Sequence, residues 1–229
     1  MLDQALEALK TYEWGVDPKA VKSIQDAVVA SHGDAAARKK LESTLAKVLG
    51  TDIPRAAKDI VCRALKTIGT AHSVPAIAKL LHDEELSHMA RHALETNDSP
   101  EAVKALVGAI DKAPKKIKIG IISSLGARGV GVPVAPLAKA LSDKDADIST
   151  AGALALGAIG SADAVKALGS AKVNDTNKIA VCDAMLQCAE NMLAHGKKSG
   201  AKAIYGTVLK IGPTEAAKIA ANLGIKASA

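Results

Sequence analysis

The chain of 229 residues contains no phenylalanine, one tryptophan and two tyrosines. A core in a sequence that is 48% hydrophobic must therefore be assembled from Ala, Leu, Ile and Val. Side chains of that size favour helices that approach one another closely. Cysteine is also scarce. Cys62, Cys182 and Cys188 are an odd set without zinc-ligand spacing, which argues against a disulfide framework and a zinc knuckle. Buried structural thiols in a reducing compartment are the expectation. No stretch reaches the ~18 uninterrupted apolar residues of a membrane span, so no membrane partner is expected. The N-terminus, "MLDQALEALK", shows no apolar core of a secretory signal, and the expected location is cytoplasmic. Charge of one sign is missing as well. The chain has 30 basic and 24 acidic residues, net +6, with the lysines dispersed along it. That describes a solvated surface rather than a nucleic-acid footprint, which clusters its cations on one face.

What is present is a repeat. Leu65 is followed twelve residues later by Ile77, Leu94 by Leu106, Leu125 by Leu137 and Leu156 by Leu168. The leading residues are 29, 31 and 31 apart, and a Gly-rich or polar turn separates each pair. Self-similarity at ~20–50 residues marks a repeat array. Each unit reads as the end of one helix, a turn and the start of the next. One such pair cannot bury its apolar stripe alone, so neighbours must stack.

Starting signals divide the chain into helices. The periodicity predicts a short amphipathic helix over residues 3–13. Asp17-Pro18 begins a second, Asp34 caps a third that stops at Gly50, and a strong fourth runs from Ile53 to Ile68. Further helices are expected at about 72–82, 85–95, 99–111, 114–126, 133–141, 145–159 and 161–169. No period-2 alternation suggests a strand.

The segments "VPAIAKLLHDEELSHMARHALE" with "PEAVKAL", and "VAPLAKALSDKDADISTAGALALGAIGSADAVKAL", resemble the HEAT-like repeats of bacterial proteins. The turn residues Asp83 and Asp143 and the Ala-Leu of each second helix carry the likeness. It implies an all-α fold, a right-handed α-solenoid of HEAT-like helix pairs. Residues 1–52 then form an N-terminal helical cap of degenerate repeats, and 53–172 the HEAT-like repeats. The period breaks after Lys172. In the segment that follows, Ala201, Tyr205, Val208 and Pro213, with Ala189 and Gly196 upstream, resemble a tetratricopeptide helix pair. Residues 173–229 are accordingly expected to form a capping hairpin and tail.

No catalytic signature is visible. "GARGVG" lies between helices without a preceding strand, and there is no nucleophile elbow. His88 and His92 sit at i, i+4, but a metal needs three or four ligands, and the His-Glu dipeptides of iron-binding HEAT-like hydroxylases do not occur. Lys112, Lys115, Lys116 and Lys118 flank Pro114 at a helix start, where cations oppose the helix dipole; they read as a solvated turn. HEAT-like DNA glycosylases place aromatics beside a carboxylate in a basic channel. Here Tyr12, Trp14 and Tyr205 all fall outside the repeats, so stacking platforms are missing. A lyase- or hydroxylase-type enzyme is a further alternative. The expectation is a non-enzymatic scaffold with a protein partner, no cofactor and no metal, monomeric or weakly self-associating.

Aligning the second helices on Ala57, Leu86, Ile117 and Ile148 places the face. The row two residues on reads Asp59, His88, Ile119, Thr150. The row at +5 reads Cys62, Arg91, Ile122, Ala153, and that at +6 Arg63, His92, Ser123, Leu154. These rows are expected to point away from the core, on an inner concave surface. The predicted protein-binding residues are Asp59, Arg63, His88, Arg91, His92, Ile119, Ile122 and Leu154. They run from a polar end to an apolar one, as interaction patches do.

Overall fold

The computed structural model describes residues 2–212 and 214–229. Every regular element among them is helical. The order is α1 (Leu2–Ala8), α2 (Lys19–Ala30), α3 (Ala35–Leu49), α4 (Arg55–Ile68), α5 (Val74–Ala78), α6 (Ser87–Glu95), α7 (Pro100–Ala109), α8 (Lys115–Arg128), α9 (Val134–Leu141), α10 (Ala146–Ile159), α11 (Ala162–Gly169), α12 (Lys178–Ala194), α13 (Lys198–Ile211) and α14 (Glu215–Ala227). Polar side chains start the helices as their spacing predicts. Asp34 accepts from the Ala36 and Ala37 N–H groups, Ser99 from Ala102, Asp145 from Asp147 and Ile148, and Ser161 from Ala164.

Two helices are shorter than their apolar pattern. The first stops at Ala8, and Lys10 and Thr11 N–H groups turn back to the carbonyls of Glu7 and Ala8. The fifth stops at Ala78, with Leu80 and Leu81 bonding to Ile77 and Ala78. Both ends tighten into i→i+3 turns, which satisfy the last carbonyls while shortening the α-helix.

The chain divides into two compact units, residues 1–121 and 122–229. In the first, the second helices of successive pairs pack together, α2 on α4 and α4 on α6. The first helices do likewise, α3 on α5 and α5 on α7. In the second unit α9 packs on α11, α10 on α12, and α12 on both α13 and α14. This is the two-layer arrangement that stacked helix pairs require. The ladder leucines are all fully buried, Leu65 and Leu94 in the first unit and Leu125 and Leu156 in the second. Stacking continues past Lys172: α12 pairs with α11 and lies against α10. Ala201, Tyr205 and Val208 are buried in α13, Pro213 lies outside the described residues, and the expected tail is the helix α14.

Close approach explains two glycines in second helices. A Cβ on Gly126 would stand 2.7 Å from the Ala155 Cα, and one on Gly157 would stand 2.8 Å from the Ala184 Cα. Because the same contact recurs, Ala184 is the counterpart of Ala155. The register of α12 follows, with Ile179 matching Thr150 and Asp183 matching Leu154.

Buried polar side chains pin one pair to the next. Glu42 on α3 is 2% exposed and accepts from the Thr70 N–H at 2.6 Å, the Thr70 hydroxyl at 3.0 Å and the Ser73 N–H at 3.1 Å. It thereby satisfies backbone donors ahead of α5. Asn97 donates to the Thr70 carbonyl at 3.1 Å and accepts from Ser99 N–H. Asn177 donates to the Lys172 carbonyl and the Ser149 hydroxyl, and Ser149 donates to the Leu141 carbonyl at 2.6 Å.

Candidate functional site

An α-helix advances about 100° per residue. Relative to the core position occupied by Ala57 and Leu86, position +5 lies about 140° round, +2 about 200° and +6 about 240°. The first direction faces the neighbouring second helix and the other two face outward. Burial follows this geometry. At +6, Arg63, His92, Ser123 and Leu154 are all exposed. At +5, Cys62, Ile122 and Ala153 are buried, with Ile122 at 0%.

The expected face is therefore corrected at its centre. Ile122 does not line a surface, because its row is a packing row. Arg91 belongs to the same row and is half-buried. Its Nη1 donates to the Gly120 carbonyl at 3.1 Å. The guanidinium lies where a Gly120 side chain would be, its Cζ only 2.5 Å from an ideal Cβ there. Burial pushes the Arg91 guanidinium below its ordinary value, against the raising effect of Glu95. Ile119 is half-buried. Leu154 is 48% exposed on α10 of the second unit, and Ile179 on α12, which the sequence pattern did not single out, is 57% exposed.

In the first unit the remaining predicted residues do come together, on the packed pair α4 and α6. Asp59 is only 7% exposed and serves Arg63, whose Nε donates to its Oδ2 at 2.8 Å. The Arg63 side chain is itself 66% exposed. One turn on, the Lys66 Nζ lies 2.9 Å from the His92 Nε2. The His88 and His92 rings are stacked, with centroids 6.4 Å apart and planes 22° from parallel. Burial, Lys66, His88 and Arg63 push the His92 imidazole below its ordinary value, and Glu95 partly offsets them. Lys66 was not among the predicted residues. It falls at +9, where the next repeats have Glu95, Gly126 and Gly157, so the row shows no common character in the sequence. Arg38 of α3 adds a further cation, donating to the Thr67 carbonyl near the end of α4.

Three other features bear on chemistry. The cysteines are free and buried. Burial is the main cause raising each thiol, Cys62 to about 12 and Cys188 to about 11, with Asp59 adding to the rise at Cys62. Among the described residues no group of three or more His, Cys, Asp or Glu side chains is placed to hold a metal, and no helix is long and apolar enough to cross a membrane. A groove of about 470 Å³ opens between α1, α2 and α3, floored by Leu6, Ala27, Ala30 and Leu41, with Asp3 and Lys40 among its lining residues.

No protein-family model and no curated protein sequence matches the chain. Among solved structures, the crystal structure of an engineered protein aligns over 99% of this chain and 96% of its own, at 19% identity and a TM-score of 0.35. A designed armadillo repeat protein in complex with the peptide (KR)4 aligns over 100% of this chain and 99% of its own, at 17% identity and a TM-score of 0.40.

Proposed function

We propose that this chain is a non-enzymatic, protein-binding module of the helical-repeat type, which engages its partner through the exposed side of its second helices. One observation carries the reading. On α4 and α6, whose other sides are packed against neighbouring helices, Arg63 and His92 stand exposed at equivalent positions of successive repeats, and His88 stands exposed one turn before His92. Repetition of a helix pair multiplies one surface position into a row, which suits an extended segment of another protein. The aromatic side chains support a protein partner over a nucleic acid. Tyr12 and Tyr205 are buried, and the exposed Trp14 lies in the connection between α1 and α2, outside the rows of the second helices, so no base-stacking platform stands on α4 or α6. The buried, proton-retaining thiols support a non-enzymatic reading, since the thiolate is the nucleophile.

Panning a displayed library of random peptides against the intact chain tests the reading. The enriched peptides are expected to bind wild type and to lose binding to the double variant Arg63→Glu, His92→Glu. Both positions are exposed, and circular dichroism would verify that the variant keeps its helices. Enriched peptides that bind both proteins equally would place the contact elsewhere, and a library yielding no binder would remove the reading altogether.

A further inference from the structure

Two cations, Arg63 and Lys66, and two imidazoles, His88 and His92, are gathered on α4 and α6 without matching open carboxylates. Lys66 from one repeat and His92 from the next are directed at the same point, 2.9 Å apart. Arg63 stands one turn before Lys66 on α4, and His88 stands one turn before His92 on α6. The nearby acids are committed or withdrawn. Asp59 is buried and holds the Arg63 Nε, and Glu95 is half-buried beside Arg91 and His92. What faces outward is a set of N–H donors. The Asp59 contact uses only the Nε of Arg63 and orients the guanidinium, leaving its two Nη groups for a carboxylate. A Lys ammonium can only donate, so the His92 Nε2 accepts from Lys66 and keeps its N–H at Nδ1; a carboxylate bound beside the pair would accept from the remaining N–H groups of Lys66, Arg63 and the two imidazoles.

The spacing selects among anions. The His88 and His92 rings are 6.4 Å apart. In an extended peptide, alternate side chains lie on one face at about 6.6–7 Å. Carboxylates at every second position of an extended segment therefore meet successive donors along α6, and Lys66 and Arg63 on α4 flank the same line. A single phosphate would reach only one end of it.

We propose that the α4–α6 face of the first unit binds an extended, Asp/Glu-rich segment of a protein, with His88 and the Lys66–His92 pair receiving alternate carboxylates and Arg63 flanking them on α4. The proposal rests on the protein-binding reading above and gives its partner a chemistry.

The probe is a fluorescein-labelled, alternating Glu-Ser octapeptide, with its Lys-Ser counterpart as control, titrated with the full chain and followed by anisotropy at low ionic strength. The acidic peptide is expected to bind, more weakly as salt is added, and the basic one to show no binding. Lys66→Ala combined with His92→Gln should weaken binding at least about tenfold. Lys202→Ala, at an exposed position of α13 in the other unit, should leave it unchanged. Absence of acidic-peptide binding, or equal binding by the double variant, overturns the proposal. Tighter capture of a duplex oligonucleotide at the same residues also overturns it, replacing the peptide with a nucleic acid. Should the panned library instead give neutral or basic peptides that need Arg63 and His92, the acidic-segment proposal falls while the protein-binding reading stands.

Discussion

At the scale of single residues, burial decides which groups react and which respond to pH. The three thiols are covered, and burial holds Cys62 near 12 and Cys188 near 11. A thiol-disulfide reagent is therefore expected to titrate none of the three in the native protein and all three in guanidinium. Rapid native labelling of Cys62 would contradict that burial. His92 behaves differently because partial burial, and then the charged groups beside it, disfavour its protonated form. Its folded-state pKa is below the ordinary 6.5. Well above that value the imidazole is neutral in both folded and unfolded chains, and it contributes no penalty. As pH falls through 6.5 and then through the lower folded value, the unfolded chain takes up the proton first, and stability is lost. The groups responsible are Lys66 and Arg63 on α4 and His88 on α6, opposed by Glu95. Melting temperature should drop between about pH 7 and about pH 5 by less in His92→Gln than in wild type; an equal drop would show that His92 is not strained. Glu42 ties α3 to the turn before α5, since its carboxylate accepts from two backbone N–H groups and a hydroxyl. Glu42→Ala removes that shared acceptor, leaving the Ser73 N–H its 3.2 Å bond to the Thr70 carbonyl, and should cost about 1–2 kcal/mol by denaturant titration. Glu42→Gln, which keeps one acceptor, should recover part of the loss.

At the scale of elements, the boundaries and the packing differ in how visible they are from sequence. Asp34, Ser99 and Asp145 mark helix starts because capping needs only a local side chain and the N–H groups two or three residues on. The direction of a row is harder to read, because it depends on what lies beside the helix. Positions +5 and +6 are neighbours in sequence, yet Ile122 is covered while Leu154 is exposed. Apolar character alone could not separate them. The composition of the +5 row held a clue, since Cys62 and Ala153 are small or apolar and suit a helix–helix seam. Glu42 was invisible for another reason: a lone glutamate in an amphipathic helix looks solvated until its partners, some thirty residues away, are known. The requirement for glycine in second helices is likewise set by the neighbouring helix and not by local sequence. Gly157→Val should cost about 2–3 kcal/mol, because the new side chain would push α12 from α10 at Ala184. Gly206→Ala, with nothing within 4 Å of its Cβ, should be neutral or stabilising by up to about 1 kcal/mol. Comparable destabilisation by both would mean that helix propensity, not contact, governs Gly157.

At the scale of the molecule, the repeat was legible because it is written in large residues at fixed intervals. Leu65, Leu94, Leu125 and Leu156 are all buried, and the helices of the described residues run in sequential pairs from α1 to α14. The next anchor, Met185, follows Leu156 by 29 residues, as Leu94 follows Leu65, but it is not a leucine and Lys197 stands twelve residues on where an apolar residue would be, which hides α12 although its contact with α10 through Gly157 and Ala184 repeats that of α8 with α10. Function is less legible than fold, because each repeat fixes its core positions and leaves its outer positions free to vary. Those outer positions are where the first unit carries Arg63, Lys66, His88 and His92. Chemical-shift mapping on the isotopically labelled chain tests their role most directly, with an acidic octapeptide added stepwise. The account predicts saturable shifts concentrated on the backbone of α4 and α6 and on the His88 and His92 imidazoles. Shifts confined to the groove between α1, α2 and α3, or spread evenly over every exposed lysine, would contradict it.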